Sequence, residues 1–273
     1  MNEADTAPSC IPFLKWAGGK RWLLNRGLPL VPASYNRYIE PFVGSAAMFF
    51  ALRPPRAILA DLNSDLIATY VALRDNWRAV VSLLGKYQRR HSKAFYYQIR
   101  DSQPATVSAR AARFIYLNRT CWNGLYRVNL RGKFNVPKGT KKEVILETDD
   151  FQKISAALQN VTLLVSEFKA VIAEALPGDF IFADPPYVTS HSSNGFLKYN
   201  EKLFSWDDQI RLRDCLLAAK SNGTHVLATN ADCPPIRELY EGSFTIRSLT
   251  RWSVIAAGPD KRGAVKELVI TSY

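Results

Sequence analysis

The sequence predicts an α/β fold: a doubly wound, largely parallel sheet with helices on both faces, interrupted by one basic and mainly helical insertion. Three observations lead there. The stretch Phe180-Ile-Phe-Ala-Asp-Pro-Pro-Tyr187 sets four apolar residues before an acid, two prolines and a tyrosine. Such a run suits a strand buried on both faces, as in a parallel sheet. Pro185 and Pro186 must end it, because proline brings no N–H to the ladder. Second, two strand–turn–helix units follow one another between residues 38 and 73. Third, residues 74–143 break that rhythm and carry the positive charge.

Taken in order, residues 1–11 read as disordered. In Lys15-Trp-Ala-Gly-Gly-Lys20, the glycines let backbone approach a ligand, Trp16 can pack on a flat group and Lys20 can reach a carboxylate. A plain glycine turn before a helix starting near Arg21 explains the same residues. Tyr38 to Val43 is the first strand, and Gly44 turns the chain into a helix over 46–52. Ala57 to Asp61 is the second strand. An acid at such a tip can take both ribose hydroxyls of a nucleotide-like ligand or can cap the next helix, a task Asn63 or Ser64 also offers. That helix runs through Leu66, Ile67, Tyr70 and Leu73. Helices over 77–87, 93–100 and 108–117 follow, then a glycine- and asparagine-rich basic loop from Asn118 to Gly139. Strands are expected at 161–165, 180–183, 224–229, 244–250 and 267–273. Ser205-Trp-Asp-Asp208 resembles a capping box for a helix stopped by Asn222-Gly223, and a short helix covers 235–240. Residues 188–204 form a polar loop in which Phe196 and Tyr199 are either lid aromatics or surface residues. The loop from Arg251 to Gly263 joins the last two strands. The domain expectation is 1–73 with 144–273 as one unit and 74–143 as the insertion.

The chain has 273 residues, 47% of them hydrophobic, and a net charge of +12. Between Lys86 and Lys142 lie 14 Lys/Arg and a single acid, Asp101; the remainder holds 22 bases and 23 acids. A separable basic segment interleaved with aromatics is the electrostatic footprint expected for a phosphate backbone. Four scattered cysteines and three dispersed histidines give no metal-ligand spacing and suit a reduced, cytoplasmic setting. The amino terminus is acidic and polar, unlike a signal peptide, and no apolar run approaches the ~18 residues of a membrane span. The expectation is therefore no membrane and no metal. The fingerprint G-x-G-x-x-G is absent, which argues against a nicotinamide enzyme.

The corner at Asp184 suggests a chemistry. An exocyclic amine on a nucleobase is a weak nucleophile, since its lone pair is delocalised into the ring. A carboxylate at Asp184 and the aimed carbonyl of Pro185 can accept its two hydrogens, localise the lone pair and orient it, while Tyr187 stacks on the base. A Pro-Pro turn with a capping Asp is the plain alternative. A base inside a duplex cannot reach such a corner and must be flipped out, at a cost of a few kcal/mol. Trp122 is a candidate wedge. Arg127 can read a guanine edge, while Arg131, Lys133 and Lys138 suit phosphates. Asn123-Gly124 is also a plain hairpin turn.

Asp184-Pro-Pro-Tyr187 resembles the catalytic motif of amino-group DNA methyltransferases. Phe13-Leu-Lys-Trp-Ala-Gly-Gly-Lys20, Glu40-Pro-Phe-Val-Gly44, Ala60-Asp-Leu-Asn-Ser-Asp-Leu-Ile67, Asn123-Gly-Leu-Tyr-Arg-Val-Asn129 and Phe134-Asn-Val-Pro137 stand in family order. They narrow the resemblance to the Dam-type, D12-class DNA adenine-N6 methyltransferases over nearly the whole chain. The resemblance implies a Rossmann-like methyltransferase sheet with an inserted recognition domain, S-adenosylmethionine as methyl donor, double-stranded DNA as substrate and GATC as target. It makes Asp184, Pro185, Pro186 and Tyr187 catalytic. It assigns Trp16, Lys20, Phe42, Gly44, Asp61 and Asp184 to the cofactor, and Lys15, Trp122, Asn123, Arg127, Arg131 and Lys138 to DNA. Two departures stand out. Trp122 replaces a more usual Tyr or Phe, and Gly44-Ser-Ala-Ala47 has less glycine than the family pattern. The sparse glycine is the one feature favouring a DNA-binding protein with a dead methyltransferase fold. Asp rather than Ser before the proline pair disfavours cytosine N4 as acceptor.

Overall fold

Strands β1 (Tyr38–Glu40), β2 (Ala57–Asp61), β3 (Val161–Val165), β4 (Phe180–Ala183), β5 (His225–Ala231), β6 (Thr245–Trp252) and β7 (Ala264–Thr271) line up in the order β3-β2-β1-β4-β5-β7-β6. The computed structural model describes residues 10–16, 18–24, 30–124, 126–129, 132–187, 204–252 and 264–273. β1 pairs in parallel with β2 and with β4, and β4 in parallel with β5. β7 runs antiparallel between β5 and β6. The expected α/β sheet is thus present, closed at one side by an antiparallel pair. β1 and β4 are fully buried, β4 with apolar residues throughout and β1 with Glu40 at its end, which fits their central place. β1 stops at Glu40 rather than Val43, because Pro41 has no N–H to continue the ladder. The strand order reverses between β1 and β4, which makes their carboxyl ends the topological switch point where open α/β sheets bind ligands.

The helices are α1 (Arg21–Leu24), α2 (Ala47–Leu52), α3 (Ser64–Arg90), α4 (Lys93–Asp101), α5 (Val107–Thr120), α6 (Phe151–Ala157), α7 (Phe168–Ala173), α8 (Trp206–Ser221) and α9 (Pro234–Tyr240). Their starts follow the local chemistry. Asn63 Oδ1 accepts from the Leu66 N–H, Ser92 caps α4, Thr106 caps α5, and Ser205 with Asp208 forms the expected capping box of α8. The break expected near residue 74 is a kink inside one long helix: Asn76 leaves helical geometry at φ −152 and ψ 59, and its side chain accepts from the Ala79 N–H as an internal cap.

Two compact units divide the chain. The first holds residues 1–27, 44–53 and 63–165; the second holds 28–43, 54–62 and 166–273. In the first, α3 packs along α5 and α6, and α4 against α5. In the second, α7 packs on β2, α8 on β5 and α9 on α8.

Within the first unit the guanidinium of Arg119 is the polar centre. It makes a two-pronged pair with Asp149 at 2.5 and 2.6 Å and donates to the carbonyls of Phe13 and Val144. Arg119 is 1% and Asp149 4% exposed. Asp149 also accepts from the Leu146 N–H. A buried pair this well bonded is far costlier to halve than to keep. Arg119→Ala strands Asp149 and two carbonyls, so urea unfolding should show a loss of ~3–5 kcal/mol; a loss under ~1 kcal/mol would mean that water reaches the pair.

Candidate active site

The second unit builds its site from strand ends. The last β4–β5 pair is Ala183 with Ala228, so the next positions are Asp184 and Thr229. The Thr229 hydroxyl donates to Asp184 Oδ1 at 2.6 Å, which fixes the rotation of the carboxylate. Gln209 on α8 donates to the Pro186 carbonyl at 3.3 Å and is itself held by Asn230 on β5 at 2.9 Å. Pro185 is buried; Asp184, Pro186 and Tyr187 are half-buried. The Tyr187 hydroxyl donates to Glu267 at 3.0 Å. Burial first, then the charges of Asp184 and Glu267, hold this phenol well above the ordinary tyrosine value, so it stays protonated.

Across the switch point, buried Glu40 ends β1 and accepts from the Tyr38 hydroxyl at 2.9 Å. Burial and the Glu40 charge, with Asp184 contributing, push the Tyr38 phenol well up. Glu40 and Asp184 thus stand at the carboxyl ends of β1 and β4, and both charges act on Tyr38. Asp61 ends β2, and the cap of α3 is supplied by Asn63. Leu62 beside it is 68% exposed. Phe42 is half-buried and stacks on Phe168 with centroids 5.5 Å apart, while Phe204 meets both rings.

In the first unit, Asn118 at the end of α5 accepts from the Lys15 N–H at 2.9 Å, donates to the Lys15 carbonyl at 2.8 Å and reaches the Gly124 carbonyl at 3.4 Å. One side chain thus ties the lysine–tryptophan segment to the turn at 122–124. Trp16 stacks on Tyr126 with centroids 6.0 Å apart and rings 22° from parallel. Gly44 sits at φ +45, and a Cβ there would fall 2.7 Å from the Trp16 indole. The Gly44 carbonyl accepts from Tyr70. Lys20 is 2% exposed and donates to the Gly18 carbonyl at 2.7 Å.

The turn itself holds Asn123 at φ 55 and Gly124 at φ 65, the paired left-handed geometry that Asn-Gly favours. Trp122 is 54% exposed. Arg127 donates through Nε to Asn135 at 3.0 Å, and Lys138 pairs with Cys121 in an isolated antiparallel bridge. Partial burial, then the charge of Lys141, lowers the Lys15 ammonium from its ordinary value. Arg131 lies outside the described residues, as do residues 188–203 with Phe196 and Tyr199, and residues 253–263. Among the described residues no group of three or more His, Cys, Asp or Glu could hold a metal ion, and no helix is long and apolar enough to cross a membrane.

The family model for D12 class N6 adenine-specific DNA methyltransferases matches residues 16–255. The chain belongs to that family. It is similar to the type II methyltransferase M1.LlaDCHI of Lactococcus lactis subsp. cremoris, 38% identical over 271 residues, covering 96% of this chain and 95% of that protein. The type II methyltransferase M.MjaIII of Methanocaldococcus jannaschii is 34% identical over 286 residues, covering 96% and 99%. A DNA adenine methylase of Vibrio cholerae serotype O1 is 33% identical over 239 residues, covering 85% of each chain. D12 enzymes use S-adenosylmethionine and act on double-stranded DNA, so this chain is an adenine-N6 DNA methyltransferase of that class.

Sequence reasoning about the D12 enzyme missed Thr229, Gln209, Glu267, Asn118 and Leu62. Only Glu267 left a signal, an acid opening the apolar run Leu268-Val269-Ile270. The glycine-poor turn of the D12 enzyme keeps its backbone: buried Ala46 takes φ 53 without glycine. Gly44 has no such latitude. Gly44→Ala should lower stability to urea by ~1–3 kcal/mol as the Trp16 indole is displaced; an unchanged midpoint would show that Trp16 does not pack there in solution.

Proposed function

We propose that this D12 enzyme methylates adenine N6 within GATC after flipping the adenine out of duplex DNA. The resemblance to Dam-type enzymes supports the target, and the V. cholerae relative named DNA adenine methylase supports adenine as the acceptor. The observation that carries the reading is the Asp184 carboxylate, held by Thr229 at the carboxyl end of β4 beside the proline pair. Asp184 and the Pro185 carbonyl accept the hydrogens of the adenine amine, which localises its lone pair and aims it. Tyr187 stacks on the base.

The donor set suits S-adenosylmethionine. Glu40 and Asp184 bring negative charge to the switch point of the second unit, which suits a cationic ligand. Asp61 takes ribose hydroxyls, and exposed Leu62 offers an apolar wall for a flat base. In the first unit, the steric cradle that Gly44 leaves for Trp16 supports Trp16, Lys20 and Gly44 as cofactor residues, with Phe42 following from the same motif. When bound, the cofactor supplies an electrophilic methyl group on its sulfonium sulfur. In-line placement and a dry, hydrogen-bonding site are what the protein adds.

On the DNA side, residues 74–143 form the recognition segment. Exposed Trp122 wedges into the stack to offset the cost of flipping. Lys15, Asn123 and Arg127 read base edges, with Asn135 orienting the Arg127 fork. Arg131 and Lys138 hold phosphates.

Sequencing with modified-base detection, on DNA from a methylation-free host expressing the protein, should show N6-methyladenine at GATC and nowhere else. Methylation confined to another motif would overturn the target and leave the chemistry standing. Asp184→Ala should cut turnover by more than about a hundredfold (~2.7 kcal/mol) with DNA affinity little changed; activity retained within about tenfold would remove Asp184 from the catalytic role.

A further inference from the structure

Glu267 is out of place by composition. Its neighbours Leu268, Val269 and Ile270 are buried apolar residues of β7, and Glu267 itself is 1% exposed. Burying a carboxylate costs several kcal/mol unless partners replace its water. One partner is Arg251 on β6, paired with it through Nε. The register explains the meeting: Leu249 faces Glu267, so Arg251, two residues on, shares its face on the diagonal. A second partner is the Tyr187 phenol at 3.0 Å.

Tyr187 follows β4, while Glu267 stands two strands away, beyond β5 and opposite Ala231. That separation is about 10 Å in a sheet. Tyr187 therefore lies towards β7, and its hydroxyl ends on the one carboxylate of that strand's buried part. Neutralising Glu267 needs only the arginine; the phenol contact does something else, which is to stop the ring. We propose that Glu267, locked by Arg251, is a positioning residue that fixes the plane of Tyr187 against the target base. The assignment rests on Tyr187 stacking on the base, as in the proposed function. The protonated phenol stays a donor to Glu267 at any working pH, so the anchor does not release by tyrosine ionisation. It also gives a reason for tyrosine rather than phenylalanine: the ring does the stacking and the hydroxyl is the handle.

The test is steady-state methylation of duplex DNA by the full-length protein, comparing Tyr187→Phe, Glu267→Gln, the double variant and Asp184→Ala, with thermal unfolding of each. Tyr187→Phe keeps the ring and the Arg251–Glu267 pair but drops the handle. It and Glu267→Gln should each lower kcat about tenfold while KM for S-adenosylmethionine moves less than about twofold, since only orientation of the base is lost. The double variant should be no slower than the worse single, because the Tyr187–Glu267 contact is lost in both. Losses that multiply to about a hundredfold, or a Tyr187→Phe enzyme within about twofold of the parent, would overturn the proposal. Should Glu267→Gln fail to fold, Tyr187→Phe decides alone. An inactive Asp184→Ala with a silent Tyr187–Glu267 series sinks only this inference; an active Asp184→Ala sinks the reading beneath it.

Discussion

A β-ladder cannot pass through two prolines, and the local arrangement of the corner follows from where this one stops. β4 pairs with β5 up to Ala183 opposite Ala228. The next residue on each strand is then a carboxylate and a hydroxyl, close enough to bond at 2.6 Å. No separate device is needed to orient Asp184, because the parallel register delivers Thr229 to it. Gln209 then holds the Pro186 carbonyl and is braced by Asn230, the residue after Thr229. A helix, a strand and a loop are thereby fastened by three neighbouring hydrogen bonds, each of ordinary strength but none exposed enough for water to compete freely.

The first unit uses a different economy. Asn118 satisfies both backbone groups of Lys15, as a neighbouring strand would, although among the described residues no strand lies there. Its amide also reaches Gly124, whose missing Cβ leaves room for the Lys15 side chain: an added Cβ would lie 2.8 Å from Lys15 Cδ. Trp16 rests on Tyr126, and Tyr126 on Phe114 and Phe134. The lysine–tryptophan segment and the asparagine–glycine turn, distant in sequence, are therefore one packed object. A ligand that displaced Trp16 would have to move Tyr126 as well, since close-packed rings do not deform independently.

How much of this could be read beforehand depended on range. Strand ends, caps and the proline corner are local: Asn63, the Ser205–Asp208 box and Asp184 each announce themselves within four residues. The kink at Asn76 was visible as a break in the helical pattern but not as a bend within one helix, because α5 and α6 pack along α3 and keep it going past the fault. α6 and α7 were missed, being single or double turns whose apolar faces resemble short strand segments. Thr229, Asn118 and Glu267 matter through partners 45, 103 and 80 residues away. Nothing in a single sequence fixes such pairings before strand register is known.

The glycine-poor turn tests whether a departure from family pattern weakens a site. Two positions in it are left-handed, Gly44 at φ 45 and Ala46 at φ 53. A left-handed alanine costs roughly 1–2 kcal/mol relative to a relaxed backbone. Ala46 is wholly buried as the residue leading into α2, and the Phe50 N–H bonds back to its carbonyl, so helix and packing hold it there. Strain of this size persists only where the surroundings over-determine it. Gly44 differs in kind, because its constraint is contact with Trp16 as well as backbone preference. Glycine is therefore required at one position and merely convenient at the other.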